Sequence, residues 1–207
     1  MIQYKKKIIR AVTVAQSIGF FVEMIPTLNQ KEIEVVALSS PGKELDDLRE
    51  KGVPTIVVPM ERHISIFKDM KALMALVKVF RREKPDMVHS MTPKAGLLCM
   101  LAAKMAHVPV RVHTFTGLVW STAKGLKRRI LMLTDWLTCA CATHVIPEGE
   151  GVKADLQHHI TRKPMKVLGY GNVKGVDMER FSLRPEIVDA AKGLRSRNLF
   201  TFLYVGR

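Results

Sequence analysis

Two histidines stand at what read as adjacent strand ends. His89 closes "DMVHS", His113 lies in "VRVHTF", and both are followed by hydroxyl-bearing residues. An imidazole in such a place can donate to a substrate hydroxyl or phosphate, and it changes charge near neutral pH. For each, a satisfied structural role is the alternative reading. Thr92 and Pro93 follow His89 and open a helix, with Lys94 in its first turn. A cation there opposes the helix dipole unless an anion docks on the free N–H groups. Otherwise Lys94 simply reaches water along its alkyl stem. Beyond His113 come Thr114, Thr116 and Gly117, which form a polar loop. Gln16 and Ser17 occupy the matching loop after the first strand, and Glu148 and Glu150 lie in "PEGEG" at a fourth strand end. Glutamates at a helix start also serve as partners of its dipole. No nucleophile–base pair is evident.

A second cluster is basic. Lys124, Lys127, Arg128 and Arg129 sit beside Leu126, Ile130, Leu131 and Leu133. Lys124 and Arg128 share a helix face by their four-residue step. A basic rim beside apolar residues suits an anionic membrane or the phosphate of a lipid-linked molecule. A solvated charged face is the alternative.

These residues need strand ends to be brought together, and the chain alternates strand and helix. Strands are expected at 7–14, 33–38, 55–60, 86–90, 110–115 and 143–147. Helices are expected at 17–30, with a kink or break at Pro26, and at 43–52, 67–84, 92–107 and 122–141, the last being the longest. Strands alternating with helices indicate an α/β fold: a Rossmann-like, doubly wound parallel sheet with helices on both faces. In such sheets ligands bind outside the carboxyl ends of the strands.

The totals narrow the function. A formal charge of +14 in 207 residues favours an anionic partner. No helix-turn-helix, aromatic stacking platform or RNA-binding signature accompanies it, so nucleic acid is not the expected partner. No G-x-G-x-x-G or G-x-x-x-x-G-K-[ST] loop occurs, which leaves nicotinamide enzymes and ATPases unsupported. Cys99, Cys139 and Cys141 lack metal or redox spacing and read as reduced, buried residues of a cytosolic protein. No metal site, signal peptide or membrane span is expected.

From about Lys166 the texture becomes glycine-rich. A short helix and polar linker follow at 183–198, and then "FLYVGR" begins a new strand. The expected organisation is a domain over 1–181, a linker over 182–199, and the first strand of a second domain over 200–207.

The stretch "KPDMVHSMTPKAGLLCMLAAKMAHVPVRVHTFTG" (84–117) resembles the acceptor-side domain of family 4 glycosyltransferases, closest to bacterial capsule and O-antigen enzymes. "GNVKGVDMERF" (171–181) resembles the G-V-D segment that closes that domain, and "FLYVGR" the first strand of their second domain. The resemblance implies one half of a two-domain GT-B fold. It implies retaining transfer of a sugar from a nucleotide-diphosphate sugar to a lipid-linked glycan acceptor, in surface polysaccharide synthesis. The site is then cytoplasmic, at the inner face of the bacterial membrane, with peripheral contact to anionic lipid. No tightly bound cofactor is implied.

His113 matches the family's cleft histidine, which contacts the donor sugar, and Thr114 to Gly117 match the loop beside it. Gly175, Val176 and Asp177 match the G-V-D turn. Two places depart from the family. Ala15-Gln16-Ser17 stands where many members carry a Gly-Gly pair near the donor phosphates, and "PEGEG" replaces a serine-rich stretch. Residues 1–207 alone are expected to show no turnover. The alternatives are half of a sugar-nucleotide epimerase, or a non-catalytic module that binds a phosphorylated ligand or a membrane.

Overall fold

In the computed structural model, the six apolar segments pair as one parallel sheet. The structure describes residues 6–175, 178, 179, 181–194 and 204. The strands are β1 (Lys6–Ala11), β2 (Ile33–Ser39), β3 (Thr55–Val57), β4 (Met87–Ser90), β5 (Val110–Phe115) and β6 (His144–Pro147). Their order across the sheet is β3-β2-β1-β4-β5-β6. The chain winds outward from β1 to β3, then returns to β1's other side and winds outward again. The direction therefore reverses between β1 and β4, where Ile8 pairs with Met87 and Ala11 with Ser90.

Helices α1 (Ile25–Gln30), α2 (Lys43–Glu50), α3 (Ile66–Glu83), α4 (Pro93–Met105), α5 (Gly125–Cys141) and α6 (Glu150–His159) connect or follow the strands. Side chains alternate between the two faces of a strand, and the core divides accordingly. Ile9, Ala11, Val36, Leu38 and Val88 pack against α3, α4, α5 and α6. Val12, Val35 and Ala37 pack on the other face against α1, α2 and the short 3-10 turns that precede α1. Leu76 and Phe80 of α3 and Leu38 of β2 are fully enclosed. Each contributes roughly 1.5–3 kcal/mol through the area it removes from water.

The expected doubly wound fold is what the chain forms, and local departures have physical causes. The segment 17–30 is not one kinked helix. It breaks into 3-10 turns at Ala15–Phe20 and Val22–Met24, and Pro26 lies in the first turn of α1. A proline there forfeits no hydrogen bond, because first-turn N–H groups have no intrahelical partner. The longest described helix is α3, with 18 residues against 17 in α5, because α5 starts only at Gly125. Strand β3 stops at Val57, and Pro59 follows closely. Helix α3 ends at Lys84, which takes a left-handed conformation (φ 46°) just before Pro85.

The chain divides into two compact units, Met1–Lys174 and Gly175–Arg207. The second contains α7 (Pro185–Leu194). The expected strand at 200–207, apart from Tyr204, and Val176 and Asp177 of the G-V-D turn lie outside the described residues. Cys99, Cys139 and Cys141 are all free and buried, and burial pushes the Cys99 thiol up to about 12.

Candidate functional site

Thr13 follows β1 and Thr92 follows β4, so the reversal of strand order places them side by side. The Thr13 N–H donates to Thr92 Oγ1 at 2.9 Å, and the two hydroxyl oxygens lie 2.7 Å apart. Thr92 occupies the N-cap position of α4, as expected, but its side chain makes no cap bond to that helix. Thr13 does it instead: the Ala95 N–H donates to Thr13 Oγ1 at 3.1 Å. One threonine thus caps a helix that begins about 80 residues later in the chain.

Above this pair lies a groove of about 400 Å³. Its polar lining includes Thr13, Ser17, Arg62, Asp69, Thr92 and Lys94. Its apolar wall comes from Ile64, Leu97, Leu98, Val119, Ile130 and Leu131, so α4, α5 and the loop before α3 all contribute. The Lys94 ammonium does not run out to solvent. It donates to both Asp69 carboxylate oxygens, at 2.7 and 2.9 Å, and to the His63 carbonyl. Asp69 also accepts from the Ser65 N–H at the start of α3, at 3.1 Å. The first-turn cation of α4 is therefore neutralised by a carboxylate of α3.

The expected site residues do not gather in one place. Ser17, Thr92 and Lys94 line the groove, while Gln16 beside them is exposed. His89, Thr114 and Glu148 line a different cavity of about 300 Å³ on the opposite sheet face, with His89 Nε2 2.7 Å from Thr114 Oγ1. His113 points the other way, under α4, and is only 2% exposed. Its Nδ1 lies 2.8 Å from Ser90 Oγ, and its ring meets Phe115 edge-on with centroids 4.5 Å apart. Burial drives its pKa down to about 3, and an interaction with the Ser90 backbone opposes this only in part. Burial, aided by the Arg10 charge, holds His89 well below its ordinary value. Both imidazoles are neutral at physiological pH. Thr116 donates to the Met91 carbonyl at 3.3 Å, and Gly117 takes a positive φ of 124° with Glu148 close by.

The basic cluster also divides. Lys124 precedes the first turn of α5, and Lys127 and Arg129 are exposed beside it. Arg128 is half-buried instead, with its guanidinium 5.6 Å from the Trp120 ring centroid. Trp120 Nε1 in turn donates to Asp135 at 2.9 Å, and burial raises that carboxyl to about 6. Along α5, Leu126, Ile130, Leu133 and Trp136 are exposed at steps of three and four, which is one helix face. Ile66, Phe67, Met70 and Met74 leave a similar exposed stripe on α3.

Sequence reasoning passed over Asp69 and Arg10. Asp69 lies in the first turn of α3, where a carboxylate is also expected simply as a partner of the helix dipole, so it carried no separate signal. Arg10 is a charge set between the apolar Ile9 and Ala11 of β1. Among the described residues, no group of three His, Cys, Asp or Glu side chains is placed to hold a metal, and no helix is long and apolar enough to cross a membrane.

Comparison with known proteins places the fold and the family. The chain is 35% identical over 204 residues to the capsular polysaccharide biosynthesis glycosyltransferase CapM of Staphylococcus aureus, covering 98% of this chain and 53% of that protein. It is 31% identical over 192 residues to the Escherichia coli UDP-Gal:alpha-D-GlcNAc-diphosphoundecaprenol alpha-1,3-galactosyltransferase, covering 89% and 48%. The chain spans about half the length of these curated relatives. Anabaena HepE, solved in complex with UDP and glucose, shares the fold at a TM-score of 0.63 and 14% identity, over 91% of this chain and 50% of that one. The sequence profile of the glycosyl transferase 4-like domain matches residues 20–171, and the chain belongs to that family.

Proposed function

We propose that this chain is the acceptor-side half of a retaining glycosyltransferase. It moves a sugar from a nucleotide-diphosphate sugar to a lipid-linked glycan during surface polysaccharide synthesis. The groove over Thr13 and Thr92 supports this reading most directly. It lies at the reversal of strand order, where open parallel sheets bind ligands, and it joins hydroxyls to a long apolar wall. A sugar carried on a lipid diphosphate has that same pairing of polar head and apolar tail. The names of the curated relatives point the same way, to capsule synthesis and to a diphosphoundecaprenol-linked acceptor.

Ser17, Thr92 and Lys94 line the acceptor side in this reading, and Gln16 stands at its edge. Lys124, Lys127 and Arg129 meet anionic lipid at the inner membrane face while the stripe of Leu126, Ile130 and Leu133 enters it. Arg128 supports them through Trp120. His113 is enclosed under α4 and away from the groove, so in this reading it orders the floor of the site by positioning α4 and does not touch the sugar. His89, Thr114, Thr116, Gly117 and Glu148 line the approach from the other sheet face. Charge developing on the leaving diphosphate needs cations and N–H donors. Lys94 is already paired, so most of these come from the second half of the enzyme, and residues 1–207 alone have no turnover.

The test uses a chain of the relatives' full length and, separately, residues 1–207. Each is given radiolabelled UDP-sugars and a GlcNAc-diphosphoundecaprenol acceptor. Label should enter the lipid phase with the long chain only. Epimerised nucleotide sugar without an acceptor, or turnover by residues 1–207, would overturn the reading.

A further inference from the structure

Arg10 lies in β1 on the face opposite Ile9 and Ala11, and is 6% exposed. Its guanidinium meets no oxygen among the described residues. Nη1 lies 3.8 Å from Met24 Sδ, Nη2 lies 3.3 Å from Met91 Sδ, and the Phe21 ring centroid is 5.1 Å from Cζ. Nε is buried without an acceptor. Thioether sulfur is a weak acceptor, whereas the five donors of a guanidinium form a fork that fits a carboxylate or phosphate. Burial pulls the pKa of Arg10 only to about 10, so it is still a cation at neutral pH.

Arg10 also lines the cavity of about 300 Å³ on this face, together with His89, Thr114 and Asn172. His89 is neutral there and does not compete as a second cation. Among the described residues, Glu148 is the one carboxylate lining the cavity, and it forms no ion pair with Arg10.

We propose that this cavity binds one oxyanion group, phosphoryl or carboxylate, received by the fork of Arg10 on the sheet face opposite the groove. The cavity is separate from the groove; it shares His89, Thr114 and Glu148 with the approach proposed above, but reception of the anion by Arg10 does not rest on that function.

The test follows the arginine Nε–H resonances of the ¹⁵N-labelled chain. Inorganic phosphate and acetate are titrated in separate arms, with chloride at matched ionic strength as the reference. One resonance, assigned to Arg10 by its loss in Arg10→Lys, should shift and saturate with one of the two anions. A response to phosphate identifies a phosphoryl ligand, and a response to acetate a carboxylate. Thermal melts should show saturable stabilisation by that anion, weakened at least about tenfold in apparent affinity in Arg10→Lys, because a point charge replaces the fork. The proposal fails if the resonance moves no more than in chloride. It fails also if Arg10→Met gains the same stabilisation, which would place the anion on surface lysines. A resonance that moves as far on Glu148→Gln substitution as with any anion would make Glu148 the counter-ion and overturn the proposal.

Discussion

Gly96 and His113 are in direct contact: a Cβ at position 96 would stand 2.4 Å from His113 Cε1 and 2.9 Å from both ring nitrogens. Only hydrogen fits between α4 and the ring. Overpacking of a tight core costs about 1–3 kcal/mol. Gly96→Ala should therefore lower the denaturant midpoint by that equivalent with m unchanged, and pairing it with His113→Ala should recover much of the loss. Equal melting of Gly96→Ala and the parent chain would show that the layer yields freely.

The same burial sets a pH response. The ordinary histidine value is 6.5, and folding lowers His113 to about 3. Between those values the unfolded chain binds a proton that the folded chain refuses. Stability is full above about pH 6.5 and falls as pH drops toward 3, by up to about 1.4 kcal/mol per pH unit for one such group. His89 adds to the slope in the same sense. Urea melts at pH 7, 6, 5 and 4 should show His113→Gln losing less with acid than the parent. Parallel slopes would mean that the ring protonates in place.

Lys94 and Asp69 tie α4 to α3, and both side chains are mostly buried, at 12% and 20% exposure. Asp69→Asn should cost about 2 kcal/mol, because it leaves a mostly buried ammonium with weaker acceptors. Asp69→Asn with Lys94→Met should cost less than the sum of the single changes. Additive losses in a double-mutant cycle would deny the coupling.

The membrane contact proposed for α5 depends on its exposed cations Lys127 and Arg129. Each basic residue near an anionic surface contributes about 1 kcal/mol, so Lys127→Gln with Arg129→Gln should weaken binding to vesicles containing acidic lipid about 30-fold. Sedimentation with vesicles measures this, and raised salt should mimic the substitutions. Undiminished binding by the double variant would remove α5 from the membrane face.

The architecture was legible because hydrophobic alternation and helix spacing are local signals. The segments around Ile9, Val36, Val88, Val112 and Val145 are short, apolar and separated by helices, and that pattern leads to the sheet found. The family was legible in the stretch from Lys84 to Gly117. The site was less so, because which side of a strand a residue faces follows from register. His89 and His113 both end strands, yet they project to opposite faces of the sheet. Partners far apart in the chain were also hidden. Nothing near Lys94 in the sequence points to Asp69, and nothing near Arg10 shows that its burial comes without a carboxylate.

The threonine pair between β1 and α4 has a wider consequence. Thr13 takes up the Ala95 N–H, and the Gly96 N–H turns back to the Thr92 carbonyl at 2.6 Å. Two of the charges and donors at the start of α4 are thus spoken for within the fold, the Ala95 N–H by Thr13 and the Lys94 ammonium by Asp69. An acceptor seated in the groove as proposed would meet hydroxyls already engaged with one another, beside an apolar wall.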